Sequence, residues 1–304
     1  MSHSSHSARL MRCAAIAVFL AATPFTVLAE EGDTGLNDTG QTRFYDATAH
    51  APGGEPPNFP GQDARFGRDA ANADGVLVKT GGGDAGFDFT KLGADGQPLA
   101  IQNQPWARDG NGFDNGSEAA GTRWSCVRDN VTGLTWEVKT YRPTPDLHDR
   151  EWTYGWYSSL ARPDGTANGN NGGDAGGANR GTCLDKYHPD DNPSGAYCDT
   201  AGFVAAVNAV GLCGANDWRM PSAQELHGLV HFGRHWPAID VSHFPNTPGD
   251  FGNPQISVPN VTWTGSPSAH SSSYAHSVYF DHGYLAVDNY KTYSASVRLV
   301  RTTP

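Results

Sequence analysis

One stretch decides the fold of this chain: DWRMPSAQEL, residues 217–226. Pro221 interrupts the strand that precedes it, and Ser222 is followed three residues later by Glu225. That spacing is a capping box, in which the two side chains satisfy backbone N–H groups at the start of a helix. The apolar residues that recur at helical spacing are Leu226, Leu229 and Val230. The stretch therefore predicts a strand end, a sharp turn and the start of an amphipathic helix.

The first 29 residues have the composition of a secretory signal peptide. Arg9 and Arg12 precede an apolar run over residues 13–28, and small residues lead up to Ala29. The run is shorter than the roughly 20 residues that a membrane-spanning helix needs, and Pro24 interrupts it. We therefore expect cleavage near Ala29, a secreted, periplasmic or cell-surface location, and no transmembrane span in the mature chain.

The charge balance disfavours some classes of partner. The full chain has 21 basic and 32 acidic residues, and loss of Arg9 and Arg12 with the signal peptide changes the formal net charge from −11 to −13. A strongly negative protein repels nucleic acids and anionic lipids at long range. Nucleic acid is therefore not an expected partner, and neutral ligands or divalent cations fit the charge better than polyanions do.

Four cysteines remain after the signal peptide: Cys126, Cys183, Cys198 and Cys213. In an exported protein this even number predicts two disulfides. A helix is predicted between Cys198 and Cys213, which would separate them by about 15 Å or more. A disulfide needs Cα atoms within about 7 Å. Two pairings remain open. The favoured one joins Cys126 to Cys213 and Cys183 to Cys198, and the other joins Cys126 to Cys198 and Cys183 to Cys213.

The chain after the signal peptide is organised in two parts. Residues 30–120 are rich in Gly, Asp, Asn and Pro, and they predict a loop-rich extension that packs on the main domain. Residues 121–304 predict short strands, a short helix over 152–160, a hairpin around residues 281–283 and Gly/Asn-rich loops. No strand–helix–strand rhythm is present. The elements therefore predict an irregular α+β domain with short antiparallel strands, two main helices and two disulfides.

Several segments match, in order, the motifs of one known domain family. They are DNVTGLTWE (129–137), CDTAGFVAAVNAVGLCG (198–214), DWRMPSAQEL (217–226), WTGS (263–266) and VRLVR (297–301). Over residues 120–302 the chain resembles the domain of unknown function typified by the C-terminal domain of the Legionella collagen-like adhesin. The resemblance implies a secreted or surface-attached binding domain that works in adhesion. The typical adhesin binds sulfated polyanions, a ligand class that the negative charge of this chain disfavours.

A second, more distant similarity bears on the fold. Residues 219–222 with Glu225, together with the terminal VRLVR, are similar to motifs of formylglycine-generating enzymes. Those enzymes have a fold similar to that of C-type lectins, so the resemblance implies an irregular C-type-lectin-like domain. Their oxidase chemistry depends on a cysteine pair late in the chain, and this sequence has no cysteine after Cys213. The similarity therefore implies the fold without the activity.

The sequence offers no recognisable catalytic constellation. His227, His231 and His235 recur every four residues, which can place imidazoles on one face of a helix. However, the metalloprotease order HExxH is absent, and no GxSxG motif surrounds a serine. We therefore expect a protein that is not an enzyme.

Two Gly-rich turns carry the oxygen ligands that calcium prefers. The candidate ligands are Asp109, Asn111 and Asp114 in the first turn, and Asp164 and Asp174 in the second. Neither turn fits an EF-hand, because the bidentate glutamate of that loop is missing. Solvated acidic turns explain the same composition, since Asp, Asn and Gly are the residues that turns use.

Aromatic side chains are the predicted ligand-binding groups: Trp152, Trp156, Trp236 and Tyr284. An exposed indole or phenol suits stacking on a sugar or anchoring a protein interface. The expected function is a secreted or cell-surface binding module for adhesion or glycan recognition, with an extracellular glycan or a surface protein as its partner. The alternative is a structural envelope protein that self-assembles, as a homo-oligomer, into a matrix or filament.

Overall fold

A computed structural model of the chain describes residues 35–158, 175–183, 198–248 and 260–302. These ranges belong to the same structural unit, and they contain two β-sheets and three α-helices. The predicted α+β class is therefore confirmed. None of the helices in these ranges has the length and the hydropathy that a membrane crossing requires.

The first sheet joins the middle of the chain to its C-terminal end. Its strands are β1 Phe89–Leu92, β2 Cys126–Asp129, β3 Leu134–Glu137 and β9 Val300–Thr302. They lie in the order β1-β2-β3-β9, and all three pairings are antiparallel. β1 precedes residue 120, so a segment of the Gly/Asp-rich part of the chain forms an edge strand of this sheet.

The second sheet is mixed and carries a hairpin at one edge. Its strands are β4 Tyr154–Gly155, β5 Val261–Pro267, β6 Tyr274–Tyr279, β7 Tyr284–Tyr290 and β8 Ser294–Val297. They lie in the order β4-β8-β5-β6-β7, with β5 and β8 parallel and the other pairs antiparallel. β6 and β7 form the hairpin predicted around residues 281–283, and Gly283 adopts a left-handed φ of 75° in its turn.

The helix predicted over residues 152–160 is wrong, because residues 152–158 do not form a helix. Residues 159 and 160 lie outside the described residues. Residues 154 and 155 form β4 and pair with β8. Trp263 fixes this arrangement, because its Nε1 donates to the carbonyl oxygen of Tyr154 at 2.9 Å. Strand pairing with a distant part of the chain supplies backbone partners that a helix would have supplied locally, so the tertiary contacts override the local pattern.

The helices are α1 Gly67–Ala73, α2 Thr200–Val210 and α3 Ala223–His227. α2 and α3 lie where the sequence predicts the two main helices. The carboxylate of Asp199 accepts a hydrogen bond from the backbone nitrogen of Gly202 at 2.8 Å, which satisfies a donor at the start of α2. Gly211, with a φ of 79°, follows the last residue of this helix.

The capping box at the start of α3 is confirmed. The backbone nitrogen of Glu225 donates to Ser222 Oγ at 3.2 Å, and the backbone nitrogen of Ser222 donates to Glu225 Oε2 at 2.7 Å. α3 is only five residues long, so Leu229 and Val230 lie beyond its end. Both are nevertheless buried. The apolar spacing correctly predicts which side chains enter the core, whereas the helix itself is shorter than the spacing suggests.

Both predicted disulfides are present, in the favoured pairing. Cys126 is bonded to Cys213 with a Cα–Cα distance of 6.4 Å, and Cys183 is bonded to Cys198 with a Cα–Cα distance of 5.4 Å. The first bond ties β2 to the segment that follows α2. Two disulfides in one domain are typical of proteins that fold in an oxidising, extracellular or surface compartment.

Two hydrophobic clusters fill the domain, and the DWRMPSAQEL stretch joins them. Trp218 lies in the first cluster and Leu226 in the second, and both are at most 2% exposed. The largest rings of the first cluster are Trp152, Tyr154, Trp156, Phe203, Trp218 and Trp263. Those of the second cluster are Phe87, Phe89, Trp124, Trp136, Phe244 and Phe280. A stretch of ten residues therefore connects the two parts of the core.

A buried ionic network centred on Glu137 lies between β3 and the chain that leads into β9. Glu137 Oε1 is 2.9 Å from Lys139 Nζ and 2.9 Å from His148 Nδ1. Glu137 Oε2 accepts from the backbone nitrogen of Leu299 at 2.9 Å, and Arg298 Nη1 donates to the Glu137 carbonyl oxygen at 2.6 Å. Burial by itself would raise the pKa of Glu137, but Lys139 and His148 lower the pKa to about 2.

We predict that Glu137→Gln lowers the free energy of unfolding at pH 7 by about 3–5 kcal/mol, because Lys139 would be left buried without its partner. The folded pKa lies below the ordinary value of 4.5, so this carboxylate stabilises the native state above pH 4.5. Its contribution is lost as the pH falls through about 2. Urea unfolding at several pH values checks both expectations.

The double variant Glu137→Gln/Lys139→Met is the matched control. It removes both members of the pair and should recover part of the lost stability, since Lys139 is then no longer a buried cation without its carboxylate. A single variant as stable as the native protein, with the same dependence on pH, would contradict the central role of Glu137.

Candidate ligand-binding site

Trp236 lies in the loop between α3 and β5, and this loop is fixed to the β6–β7 turn. The backbone nitrogen of Trp236 donates to the carbonyl oxygen of Asp281 at 2.8 Å. Asp281 is itself held by Asn260, whose Nδ2 donates to Asp281 Oδ2 at 2.9 Å. The ring of Trp236 is 50% exposed, as the sequence predicts for an aromatic residue in a loop. An exposed indole is therefore presented by a well-anchored backbone.

Two histidine rings contact Trp236, and Phe232 lies at the same hairpin turn; we call Phe232, His235, Trp236 and His282 the aromatic patch. The ring centroids of His235 and His282 lie 5.4 Å and 5.5 Å from that of Trp236, and both rings meet it edge-on. Phe232 is 45% exposed and packs near Gly283 in the hairpin turn. The patch thus offers flat apolar faces with polar edges, a combination that suits sugars and protein surfaces.

The backbone of Trp236 is held in an unfavourable conformation. Its φ is 50°, in the left-handed region that bulky residues rarely adopt. Such a conformation costs on the order of 1–2 kcal/mol for a residue other than glycine. Outliers of this kind cluster at functional sites, where the surrounding structure enforces them. A strained backbone that carries a half-exposed ring favours a binding role for Trp236.

A cavity of about 520 Å³ lies against Trp236 and is lined by residues from two segments, 105–108 and 234–247, including Trp106, Arg108 and Arg234. Both arginines have partners within the fold. Arg108 Nη2 donates to the carbonyl oxygen of Pro245 and to Asn246 Oδ1, each at 2.7 Å, and Arg234 Nη1 is 3.2 Å from Asp84 Oδ2. The cavity extends the aromatic patch inward without adding an uncompensated cluster of positive charge.

Tyr284 begins β7 directly after the hairpin turn and is 58% exposed. Its ring lies 5.7 Å from that of Tyr279 on the paired strand. Tyr290 and Tyr293 continue the exposed aromatic surface farther along, with centroids 5.3 Å apart. Two of the four aromatic residues predicted to bind ligand, Trp236 and Tyr284, are therefore displayed on either side of the same turn.

The other two predicted residues, Trp152 and Trp156, lie in the core instead. Their exposed fractions are 6% and 2%, and their Nε1 atoms donate to the carbonyl oxygens of Asp146 and Thr264 at 2.7 Å and 2.8 Å. The cause is β4, which incorporates this segment into the second sheet. The sequence cannot distinguish such rings from exposed ones, because both occur among turn-rich residues.

The first turn proposed for calcium has its carboxylates bound within the fold. Asp109 Oδ1 accepts from the backbone nitrogens of Asn111 and Phe113 at 2.8 Å and 2.9 Å. Asp114 Oδ1 accepts from Trp106 Nε1 at 2.6 Å. These bonds hold the turn in its observed shape. The second turn's candidates, Asp164 and Asp174, lie outside the described residues.

A different group of carboxylates comes together in space. Oxygens of Asp38, Asp63 and Asp69 lie within 4.8 Å of one another. Burial raises the pKa of Asp69, and the nearby Asp38 adds to that rise. A divalent cation is the ligand that such oxygens could hold. The grouping is not evident from the sequence, because the three residues lie on separate segments.

The histidines and hydroxyls of the described residues do not form a recognisable catalytic arrangement. His231 is buried, with its ring stacked on Phe87 at 5.4 Å. Ser242 Oγ and Asp240 Oδ2 both lie 3.0 Å from the same atom, His243 Nδ1. In a catalytic triad the serine and the carboxylate contact different nitrogens of the imidazole. The arrangement therefore holds His243 in place and does not activate Ser242.

The fold and the patch together define a class of protein: a disulfide-linked α+β domain that displays aromatic side chains around a hairpin turn. A family model described as the Lcl C-terminal domain matches residues 125–301, more than half of the chain. The chain belongs to this family. Comparison with curated proteins found no match, and comparison with solved structures found none either. The similarity to C-type lectins stays a prediction.

The strained backbone at Trp236 predicts that, at this position, a glycine variant is more stable than an alanine variant. We expect Trp236→Gly to exceed Trp236→Ala in free energy of unfolding by about 1 kcal/mol, because glycine adopts a φ of 50° without steric cost. Urea unfolding of both variants measures the difference.

Tyr293 provides the matched control, since it is an exposed aromatic residue outside the set of non-glycine residues with positive φ. There the alanine variant should be the more stable by about 0.5–1 kcal/mol, because glycine loses more backbone entropy on folding. The same order at both positions would show that Trp236 is not strained.

Proposed function

We propose that this protein is a non-catalytic adhesin-type module, secreted or displayed at the cell surface, that binds a neutral extracellular glycan at the aromatic patch. The observation that carries the proposal is Trp236, whose ring stays half exposed although its backbone is strained. Membership of the Lcl C-terminal domain family supports an adhesin-related role. The two disulfides support an extracellular or surface location.

The aromatic patch suits stacking on a neutral ligand, whereas the charge of the chain does not favour an anionic ligand. The mature chain would carry a formal charge of −13, which repels polyanions. Arg108 and Arg234, the arginines of the adjacent cavity, already have acceptors in the protein. Phe232 and Trp236, by contrast, are about half exposed, and aromatic side chains suit contact with the apolar face of a sugar.

A glycan array probed with residues 30–304 tests the proposal. We expect signals on neutral glycans that persist at high salt, and we expect Trp236→Ala to reduce them about tenfold or more, the loss typical of a central aromatic contact. Tyr45→Ala is the matched control, because Tyr45 is 43% exposed but lies outside the aromatic patch.

Three results would count against this function. They are silence on every glycan by a correctly folded protein, equal loss in the Tyr45 and Trp236 variants, and binding only to sulfated glycans at low salt. The array is read with calcium and with EDTA. Loss of signal in EDTA would implicate a cation, with Asp38, Asp63 and Asp69 as the first residues to replace.

A second candidate function, self-assembly of an envelope protein, is supported by β7. This strand lies at the edge of the second sheet, and no strand among the described residues pairs with its outer side. Its exposed side chains include Tyr284, Val287 and Tyr290. Uncovered edge strands with apolar side chains are templates for pairing with another chain.

Self-assembly predicts that sedimentation velocity detects larger species as the protein concentration rises, and that Val287→Lys removes them. A lysine on an edge strand opposes strand pairing by charge and solvation. Val76→Lys is the control, since Val76 is 70% exposed but does not lie on a strand. A monomer at every concentration would reject this second function.

A further inference from the structure

A cleft of about 530 Å³ lies beside the DWRMPSAQEL stretch. This volume is within the range of small-molecule binding sites. Its walls come from α2, from residues 219–222 and from β5. None of the described residues that line it belongs to the aromatic patch or to the cavity beside Trp236. The cleft is therefore a separate feature, and the proposed function does not use it.

One side of the cleft is apolar. The residues that form it are Trp156, Val204, Met220 and Pro221. Val204 and Met220 are partly buried, and their packing against the first hydrophobic cluster holds them in position. Burial of a methyl group against such a wall is favourable. The cleft thus suits a ligand with a small apolar group.

Two serine side chains also line the cleft. Ser222 Oγ accepts from the backbone nitrogen of Glu225 at 3.2 Å, and Ser266 Oγ accepts from the backbone nitrogen of Ala223 at 3.0 Å. A hydroxyl has one hydrogen to donate besides its acceptor sites. The Ser222 hydroxyl also hydrogen-bonds to the Glu225 carboxylate, so its hydrogen is used within the capping box. Ser266 Oγ accepts from a backbone group and can donate its hydrogen into the cleft, which favours an acceptor such as a carbonyl oxygen.

The charge in the cleft is balanced. Arg219 lines it, but its Nη1 and Nη2 atoms donate to the two carboxylate oxygens of Glu225 at 2.8 Å and 2.7 Å. This bidentate pair cancels the positive charge that would attract a carboxylate or a sulfate. The ligand that matches the cleft is therefore neutral, with a carbonyl oxygen adjacent to an apolar group.

We propose that this cleft binds an N-acetylated amino sugar. The acetamido methyl group lies on the wall of Val204, Met220 and Pro221. The acetamido carbonyl oxygen accepts a hydrogen bond from the hydroxyl of Ser266. This site is independent of the aromatic patch, and it would give the module a second point of contact with a glycan chain.

Isothermal titration calorimetry with two disaccharides tests the proposal. Diacetylchitobiose carries the acetamido groups, and cellobiose has the same backbone and linkage without them. We expect binding of diacetylchitobiose at least about tenfold tighter than binding of cellobiose, the difference expected for a lost hydrogen bond and lost methyl burial. Equal affinities, or no binding of diacetylchitobiose, would overturn the proposal. A preference for glucuronate would overturn the neutral ligand class.

Two variants on α2 locate the site. Ala201 lines the cleft, so Ala201→Phe should fill it and weaken binding of diacetylchitobiose at least about tenfold. Ala205 is exposed on the same helix and does not line the cleft, so Ala205→Phe should leave the affinity unchanged. Trp236→Ala, which alters the aromatic patch, is measured in parallel to separate the two surfaces. Loss of binding in the Trp236 variant alone would place the sugar at the aromatic patch and reject the cleft.

Discussion

The carboxylate of Glu137 is the buried charge on which the arrangement of the domain depends. It binds Lys139 and His148 through one oxygen and the backbone of Leu299 through the other. These contacts connect the middle of the chain to its last segment, at the point where β3 meets the chain entering β9. A buried carboxylate must be matched by donors in fixed positions, because removing any one of them leaves a charge without compensation. The network therefore specifies how the ends of the domain meet.

The DWRMPSAQEL stretch extends this organisation to the rest of the core. Trp218 enters one hydrophobic cluster and Leu226 the other, while Glu225 both caps α3 and neutralises Arg219. The charged side chains of the stretch thus have structural partners, since Asp217 also pairs with Arg301, and the chain needs little regular secondary structure to hold it. Such a scaffold leaves its loops available to carry aromatic side chains at the surface.

The two surfaces proposed for binding differ in how they would recognise a ligand. The aromatic patch offers exposed ring faces around Trp236, which suit stacking on an extended chain of sugars. The cleft beside Ser222 and Ser266 offers apolar side chains and a hydroxyl donor, which suit one chemical group. An adhesin-type module that uses both could combine broad contact with local selectivity, because two linked weak sites bind a polymer more tightly than either site alone.

Local patterns in the sequence determined the capping box at Ser222, the helix after Asp199, the hairpin at Gly283 and the exposure of Trp236. Each rests on neighbouring residues or on a spacing with a direct structural meaning. The exclusion of a bond between Cys198 and Cys213 also follows from such a spacing, since a helix separates them. Only the tertiary structure decided that Trp152 and Trp156 are buried, that β4 replaces a helix, and that Asp38, Asp63 and Asp69 meet. These features depend on pairing between distant segments, and no local spacing records which distant strand will supply the partner.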